Sequence, residues 1–248
     1  MQDTEHVNMS ASNQTLTRRE RKKGENRRRL LQCAHEAMGG AEVESVSIAN
    51  ITDAADIGFG TFYNYFENMD DLASQVLTCV VNDLGRRNDI ATVSLKSSDP
   101  AAVQAISIRF TIREMLSDAM WKWWLKRPKL LVEQMNVCLN PFGVRDLKLG
   151  IAAGQYKISE SDAEIILGQI TWMLVGGVID ILENKTDGLD EVKLIKIIMR
   201  AMGVSHDHAK ELAKIEPPSS SKPNIDFSDQ PLPVLSVLLP EGMLEKNR

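Results

Sequence analysis

The chain has few of the residues on which catalysis usually runs. Of its 248 residues four are histidines and three are cysteines, and neither set is spaced for chemistry. His6, His35, His206 and His208 stand away from any serine or cysteine in a nucleophile-elbow context. His206-Asp207-His208 lacks a third ligand nearby and reads as a helix start after a glycine rather than a metal pair. A phosphate-cradling glycine loop and paired catalytic carboxylates are also missing. An enzyme reading has nothing to build on, and neither a metal nor a cofactor is expected. Cys33, Cys79 and Cys138 are odd in number and scattered, which points to a reducing compartment and to packing roles. Uninterrupted apolar runs of eighteen residues or more are absent, and the polar N-terminus lacks a signal-peptide core. The chain is therefore expected in the cytoplasm, away from membranes.

Runs of β-forming residues are scarce too, while apolar residues recur at three- and four-residue spacing almost throughout, so the fold class is all-α. Six of the nine prolines follow residue 216. The formal net charge of −5 is no sign of a protein that coats nucleic acid, yet its distribution is uneven. Residues 18 to 29 carry Arg18, Arg19, Arg21, Lys22, Lys23, Arg27, Arg28 and Arg29 against Glu20 and Glu25. A basic arm on an acidic body suits phosphate binding at one end. Taken alone, the run would read as a solvated charged face.

Residues 1–16 are polar and read as a disordered arm. The spacing predicts a first helix from about Thr17 to Met38, ended by Gly39-Gly40. Ser47 is placed to cap a short helix with Ile48, Ile51, Thr52 and Ala55 on one side. Gly58 and Gly60 bracket Phe59 where the chain must reverse, a place for unusual backbone angles. A second short helix, Thr61 to Phe66, is anchored by Phe62 and Phe66 and presents Phe59, Thr61, Tyr63, Asn64 and Tyr65 on its other side. Asn68 caps a long helix with Leu72, Ala73, Val76, Leu77, Val80, Val81 and Leu84 as its buried stripe. Asp99-Pro100 starts another helix. A tryptophan cluster and Arg127-Pro128 follow, then a helix from about Lys129 to Val137 and a broken region through Pro141 and Gly143. Ser161 to Glu183 is apolar nearly all round, as is Leu189 to Met202. From Pro217 the composition shifts to a linker or tail, within which residues 231–240 are apolar enough to dock on the body. The segments are 1–16 (arm), 17–66 (helix-turn-helix), 67–215 (helical body) and 216–248 (tail).

Two short helices joined by a tight turn, the second rich in aromatics, are the layout of a DNA-reading helix-turn-helix. Over residues 47 to 72 the chain resembles the tetracycline-repressor (TetR) family of bacterial transcription regulators. The family's run is roughly Ile-Ala-x-x-Ala-Gly-Val-Ser-x-Gly-Thr-Leu-Tyr-x-Tyr-Phe-x-x-Lys-Glu-x-Leu. Ile51, Ala55, Ile57, Gly60, Thr61, Phe62, Tyr63, Tyr65, Phe66, Asp70 and Leu72 fit it, some as close equivalents. Asp56 stands where the family has its turn glycine, Gly58 where it has a capping Ser or Thr, and Met69 where a lysine often touches phosphate.

The resemblance implies a homodimeric, ligand-responsive regulator, most simply a repressor released from a palindromic operator by a hydrophobic or aromatic small molecule. The alternative is a constitutive DNA-binding regulator or activator of the same fold without an effector pocket. Thr61 and Tyr63 are expected at phosphates, as in the family, together with Ser47, Arg18, Arg19, Lys22 and Lys23. Phe59 and Asn64 are expected at base edges, with Gly58 and Gly60 close by. Tyr65 is either a base reader or a packing residue. An effector pocket is expected among the middle helices, with walls from Phe110, Met120, Trp123, Trp124, Phe142, Trp172 and Met173 and with Arg109, Arg113 and Gln169 to orient a polar group. For each of these, core packing is the alternative. The two apolar helices suggest a four-helix dimer interface using Trp172, Val175, Gly176, Ile179, Leu182, Ile195, Ile198 and Met199. A wholly internal core pair is the alternative there.

Overall fold

A computed structural model describes residues 17–40, 46–95, 99–218 and 222–228. The expected disordered arm (1–16) and the apolar stretch 231–240 lie outside them. Ten α-helices and no strand occur among the described residues: α1 (Arg18–Gly39), α2 (Ile48–Ala54), α3 (Phe59–Phe62), α4 (Met69–Thr92), α5 (Pro100–Ser117), α6 (Ala119–Leu125), α7 (Pro128–Ala152), α8 (Ala163–Glu183), α9 (Glu191–Ala201) and α10 (His206–Leu212). The caps follow the sequence closely. Thr17 and Glu20 form a reciprocal capping box on α1, Ser47 accepts from the Asn50 N–H and Asn68 from the Asp71 N–H. Each satisfies a donor that the helix itself leaves unpaired.

The turn between α2 and α3 departs from the expectation. Gly58 has an ordinary φ of −58°, and the left-handed residue is Asp56, with φ +51°. The chain reverses two residues earlier than Gly58 suggests, and an aspartate adopts the conformation that glycine takes most easily. Asp56→Gly should therefore stabilise the protein by about 0.5–1 kcal/mol, read from denaturant melts. A loss of stability would mean that the aspartate side chain itself holds the turn. The helix of α3 proper spans four residues, with Tyr63, Asn64 and Tyr65 in the turn that follows. Phe62 and Phe66 are buried, their ring centroids 5.5 Å apart.

The long α4 leaves this head and packs on α1, α5 and α7, with the expected stripe from Leu72 to Leu84 buried. A second junction joins α1 to α6. There Trp123 and Trp124 meet edge-on at 4.6 Å, and the Arg127 guanidinium lies 3.7 Å over the Trp123 ring. The break expected near Pro141 does not occur, because α7 runs through it. A proline there removes the hydrogen bond to the Val137 carbonyl. Val137 is exposed, so water can satisfy that carbonyl at little cost.

Helices α7 and α8 pack along each other, and α9 crosses α8 closely. The crossing depends on Gly177, where an added Cβ would come within 2.4 Å of Leu194. Past α10 the chain returns to the head: Ile225 and Phe227 are partly buried against the core, and the Phe227 ring centroid lies 5.4 Å from that of His35 on α1. Burial there holds the His35 imidazole below its usual pKa, against the opposing pull of Asp118 and Glu36.

Candidate nucleic-acid interface and effector cavity

Most of the residues expected at DNA are exposed on the head. Phe59 and Tyr63 are both more than half exposed, with rings edge-on and 5.8 Å apart. Gly58, Gly60 and Asn64 are exposed beside them, and Thr61 is partly buried. Ser47 is exposed at the α2 N-terminus, and Arg18, Arg19, Lys22 and Lys23 are exposed along the first turns of α1. Adjacent exposed aromatics rimmed by polar residues mark a candidate interaction surface.

Tyr65 stands apart from this set. It is partly buried, and its hydroxyl accepts a 3.1 Å hydrogen bond from Asn26 on α1, so the geometry favours its packing role. Arg27 also turns inward, 5.7 Å over the Phe66 ring and bonded to Gln75 of α4. These two ties from α1 had no signal in the sequence beyond the basic run itself.

In the body, a cavity of about 90 Å³ lies between α4, α5, α7 and α8. Part of its lining is apolar, with Leu139, Phe142, Leu167, Ile170 and Leu174. The rest is largely polar, with Asn88, Gln104, Ser107, Thr111, Asn140 and Asp146. Of the residues expected to wall an effector pocket, Phe142 alone lines it, and the structure does not bring the others together. Arg109 is buried and paired with Glu216 at 2.8 Å and Glu191 at 3.3 Å. Arg113 bonds the same two glutamates at 2.8–2.9 Å, which pins α5 to the start of α9 and to the chain after α10. Phe110 lies 5.2 Å below the Arg87 guanidinium. Met120, Trp123 and Trp124 are core residues of α6, Met173 packs against the core, and Gln169 and Trp172 face outward on α8.

The cause is legible in α5, which is buried on nearly every side, so its aromatic and apolar residues do not mark the hollow face. A better signal was its uncharged polar residues: Gln104, Ser107 and Thr111 recur at helical spacing along α5. Burial pushes the thiols of Cys79 and Cys138 up to about 11, so both are inert packing groups at neutral pH.

Residues 99–215 match the family described as Tetracyclin repressor-like, C-terminal domain. The crystal structure of RolR without ligand superposes with a TM-score of 0.71 at 28% identity, covering 78% of this chain and 99% of RolR. RolR in complex with its ligand resorcinol gives 0.73 at 29% identity, covering 82% and 100%. The chain belongs to the TetR family of transcriptional regulators. No curated protein matches it by sequence. Against the TetR pattern of the head, Gly58 leaves α3 with no side-chain cap, while Asp56 takes the conformation suited to the family's turn glycine.

Helices α8 and α9 of this TetR-family chain both expose apolar residues. Ile165, Trp172, Gly176 and Leu182 are exposed along one side of α8 and Ile179 is half-buried there, while Val192 and Ile197 are exposed on α9. Four residues expected at a subunit interface are not among them. Val175, Ile195, Ile198 and Met199 are fully buried within their own chain, because the close α8–α9 crossing at Gly177 turns them toward each other and the core.

Proposed function

We propose that the protein is a homodimeric repressor whose head binds a near-palindromic operator and whose body releases it when a small molecule enters the α4–α5–α7–α8 cavity. The exposed Phe59–Tyr63 pair with Asn64 beside it, on a head whose first helix opens with an exposed basic run, carries this reading. Two-fold symmetry sets the paired α3 elements about 34–36 Å apart, one turn of DNA. Tyr63, Thr61 and Ser47 serve phosphates, with Arg18, Arg19, Lys22 and Lys23 adding charge. Phe59 and Asn64 serve base edges and thymine methyls.

Helix α4 supports the coupling. It begins at Asn68, directly after the α3 turn, and reaches the cavity wall at Gly85, Asn88, Asp89 and Thr92. Asn88 is therefore about 30 Å along the helix from the head. A ligand that fits one setting of α4 shifts the population of head spacings, and with it DNA affinity. The similarity to RolR, which was solved in complex with the ligand resorcinol, supports a small-molecule response of this chain.

Gel retention and footprinting on DNA flanking the protein's own gene test the reading directly. Tyr63→Ala should weaken binding to all sequences alike, because a phosphate contact positions without reading. Asn64→Ala should instead narrow the gap between operator and random DNA, by about 1–3 kcal/mol for a bidentate base contact. Equal, sequence-independent losses in both variants would remove Asn64 as a reader.

A further inference from the structure

Resting on the reading of the head as the DNA-binding part, we infer that Asn26 and Arg27 are positioning residues. They hold the DNA-reading turn against α1 and the start of α4, and Arg27 is not one of the phosphate-binding cations of its basic run. Helix α3 spans four residues, too few to keep their own shape in water. Tyr63 and Asn64 stand in the turn that follows. A base contact tolerates only about 0.5 Å and 10–20° of displacement, so groups outside α3 must fix that turn.

Two neighbouring residues of α1 grip the two neighbouring residues that close it. The Asn26 amide donates to the Tyr65 hydroxyl at 3.1 Å. The Arg27 guanidinium lies 5.7 Å from the centroid of the buried Phe66 ring, close enough for a cation–π contact. Arg27 also donates to the side-chain oxygen of Gln75, and Gln75 passes the connection on. Its amide donates to Asp71 at 2.8 Å, and the other carboxylate oxygen of Asp71 accepts from the Glu67 N–H at 2.9 Å. The relay runs from α1 through the first two turns of α4 and back to the residue after Phe66.

Placement separates these residues from the charges expected at phosphates. Arg18, Arg19, Lys22 and Lys23 are exposed, whereas Asn26 and Arg27 are partly buried. A guanidinium suits the task because its flat face covers a ring while its edge donates to an amide. A lysine keeps the charge and loses that geometry.

The test uses the full chain with Arg27→Met, Arg27→Lys, Asn26→Leu, Tyr65→Phe and the double variant Asn26→Leu/Tyr65→Phe. Retention of the DNA flanking the protein's own gene is compared with random DNA of equal length over a salt series. Amide exchange read by mass spectrometry follows residues 59–68 with no DNA present. The N–H groups of Asn64, Tyr65 and Phe66, bonded to Thr61 and Phe62 carbonyls at 2.9–3.1 Å, report on the turn.

Both Arg27 variants should lower the preference for operator over random DNA roughly three- to tenfold, with the salt slope unchanged. Exchange in 59–68 should quicken by a similar factor while exchange in α8 stays as it was. Asn26→Leu and Tyr65→Phe should each do the same, and the double variant no more than either alone, since they are two ends of one bond. A phosphate contact from Arg27 gives the opposite pattern. Arg27→Met would then cut the log–log salt slope by about 0.9 and weaken all DNA alike, and Arg27→Lys would bind as the unaltered chain does. That pattern overturns the inference, as does unchanged exchange in 59–68 or an additive loss in the double variant. If the unaltered chain retains no DNA, the regulator reading fails, and the exchange rates still decide whether α1 holds the turn.

Discussion

Replacing Trp172 by glutamate should yield a folded monomer that no longer holds operator DNA. Trp172 is 44% exposed on its own chain, so the substitution removes little from the subunit core. In the proposed dimer it sits on the outer stripe of α8 with Ile165 and Leu182, and on a two-fold axis a charge placed there meets its own copy. An unpaired buried carboxylate costs several kcal/mol, and each 4.1 kcal/mol is a thousandfold in association. Light scattering should show the monomer, circular dichroism an unchanged helix content, and gel retention the loss of a site that needs two heads. Val175→Glu is the contrasting variant. Val175 is fully buried within its own chain, so a charge there should unfold the subunit itself rather than split the dimer. A normal dimer from Trp172→Glu would move the interface off this face of α8.

Arg87→Met should destabilise the subunit by about 3 kcal/mol. Arg87 is 4% exposed. Its Nε donates to Asp83 at 2.7 Å, and its two terminal nitrogens grip Glu114 at 2.9 and 3.1 Å. Methionine fills much of the volume but takes a partner from Asp83, also 4% exposed, which keeps Arg86 of α4 at 2.6 Å. That residual pairing sets the loss at the lower end of the roughly 3–5 kcal/mol typical when a buried pair is broken. Chemical unfolding measures it. Replacing Asp83 and Glu114 by leucine as well should recover most of the stability, since no charge is then stranded. Because Asn88 and Asp89 directly follow Arg87, the same variant should loosen the cavity wall and weaken effector binding.

Local chemistry was the legible portion of this fold. Thr17, Ser47, Asn68 and Asp99 cap the helices they were expected to start, because capping depends on a few neighbouring atoms. The stripe of α4 was legible for the same kind of reason: one face is buried, and the 3.6-residue period shows it. What escaped was decided between helices. Apolar residues surround α8, and α5 is buried on nearly every side, so period alone cannot say which side meets a hollow, a neighbour or the outside. Phe110 and Ile108 illustrate this, two residues apart on α5, with only Ile108 on the cavity wall. The passage of α7 through Pro141 was hidden likewise, since the cost of a helical proline depends on whether the freed carbonyl can reach water.

The return of residues 222–228 to the head has a consequence for the order of synthesis. His35 lies near the start of the chain, and the Phe227 ring that packs on it is translated roughly 190 residues later, on the order of ten to forty seconds at ordinary elongation rates. Once α2 and α4 have been made, α1 has its basic face and these neighbours for the rest of that interval but lacks this last covering contact. A newly made head is thus a different surface from a finished one, and the chain closes it only as its final described residues emerge.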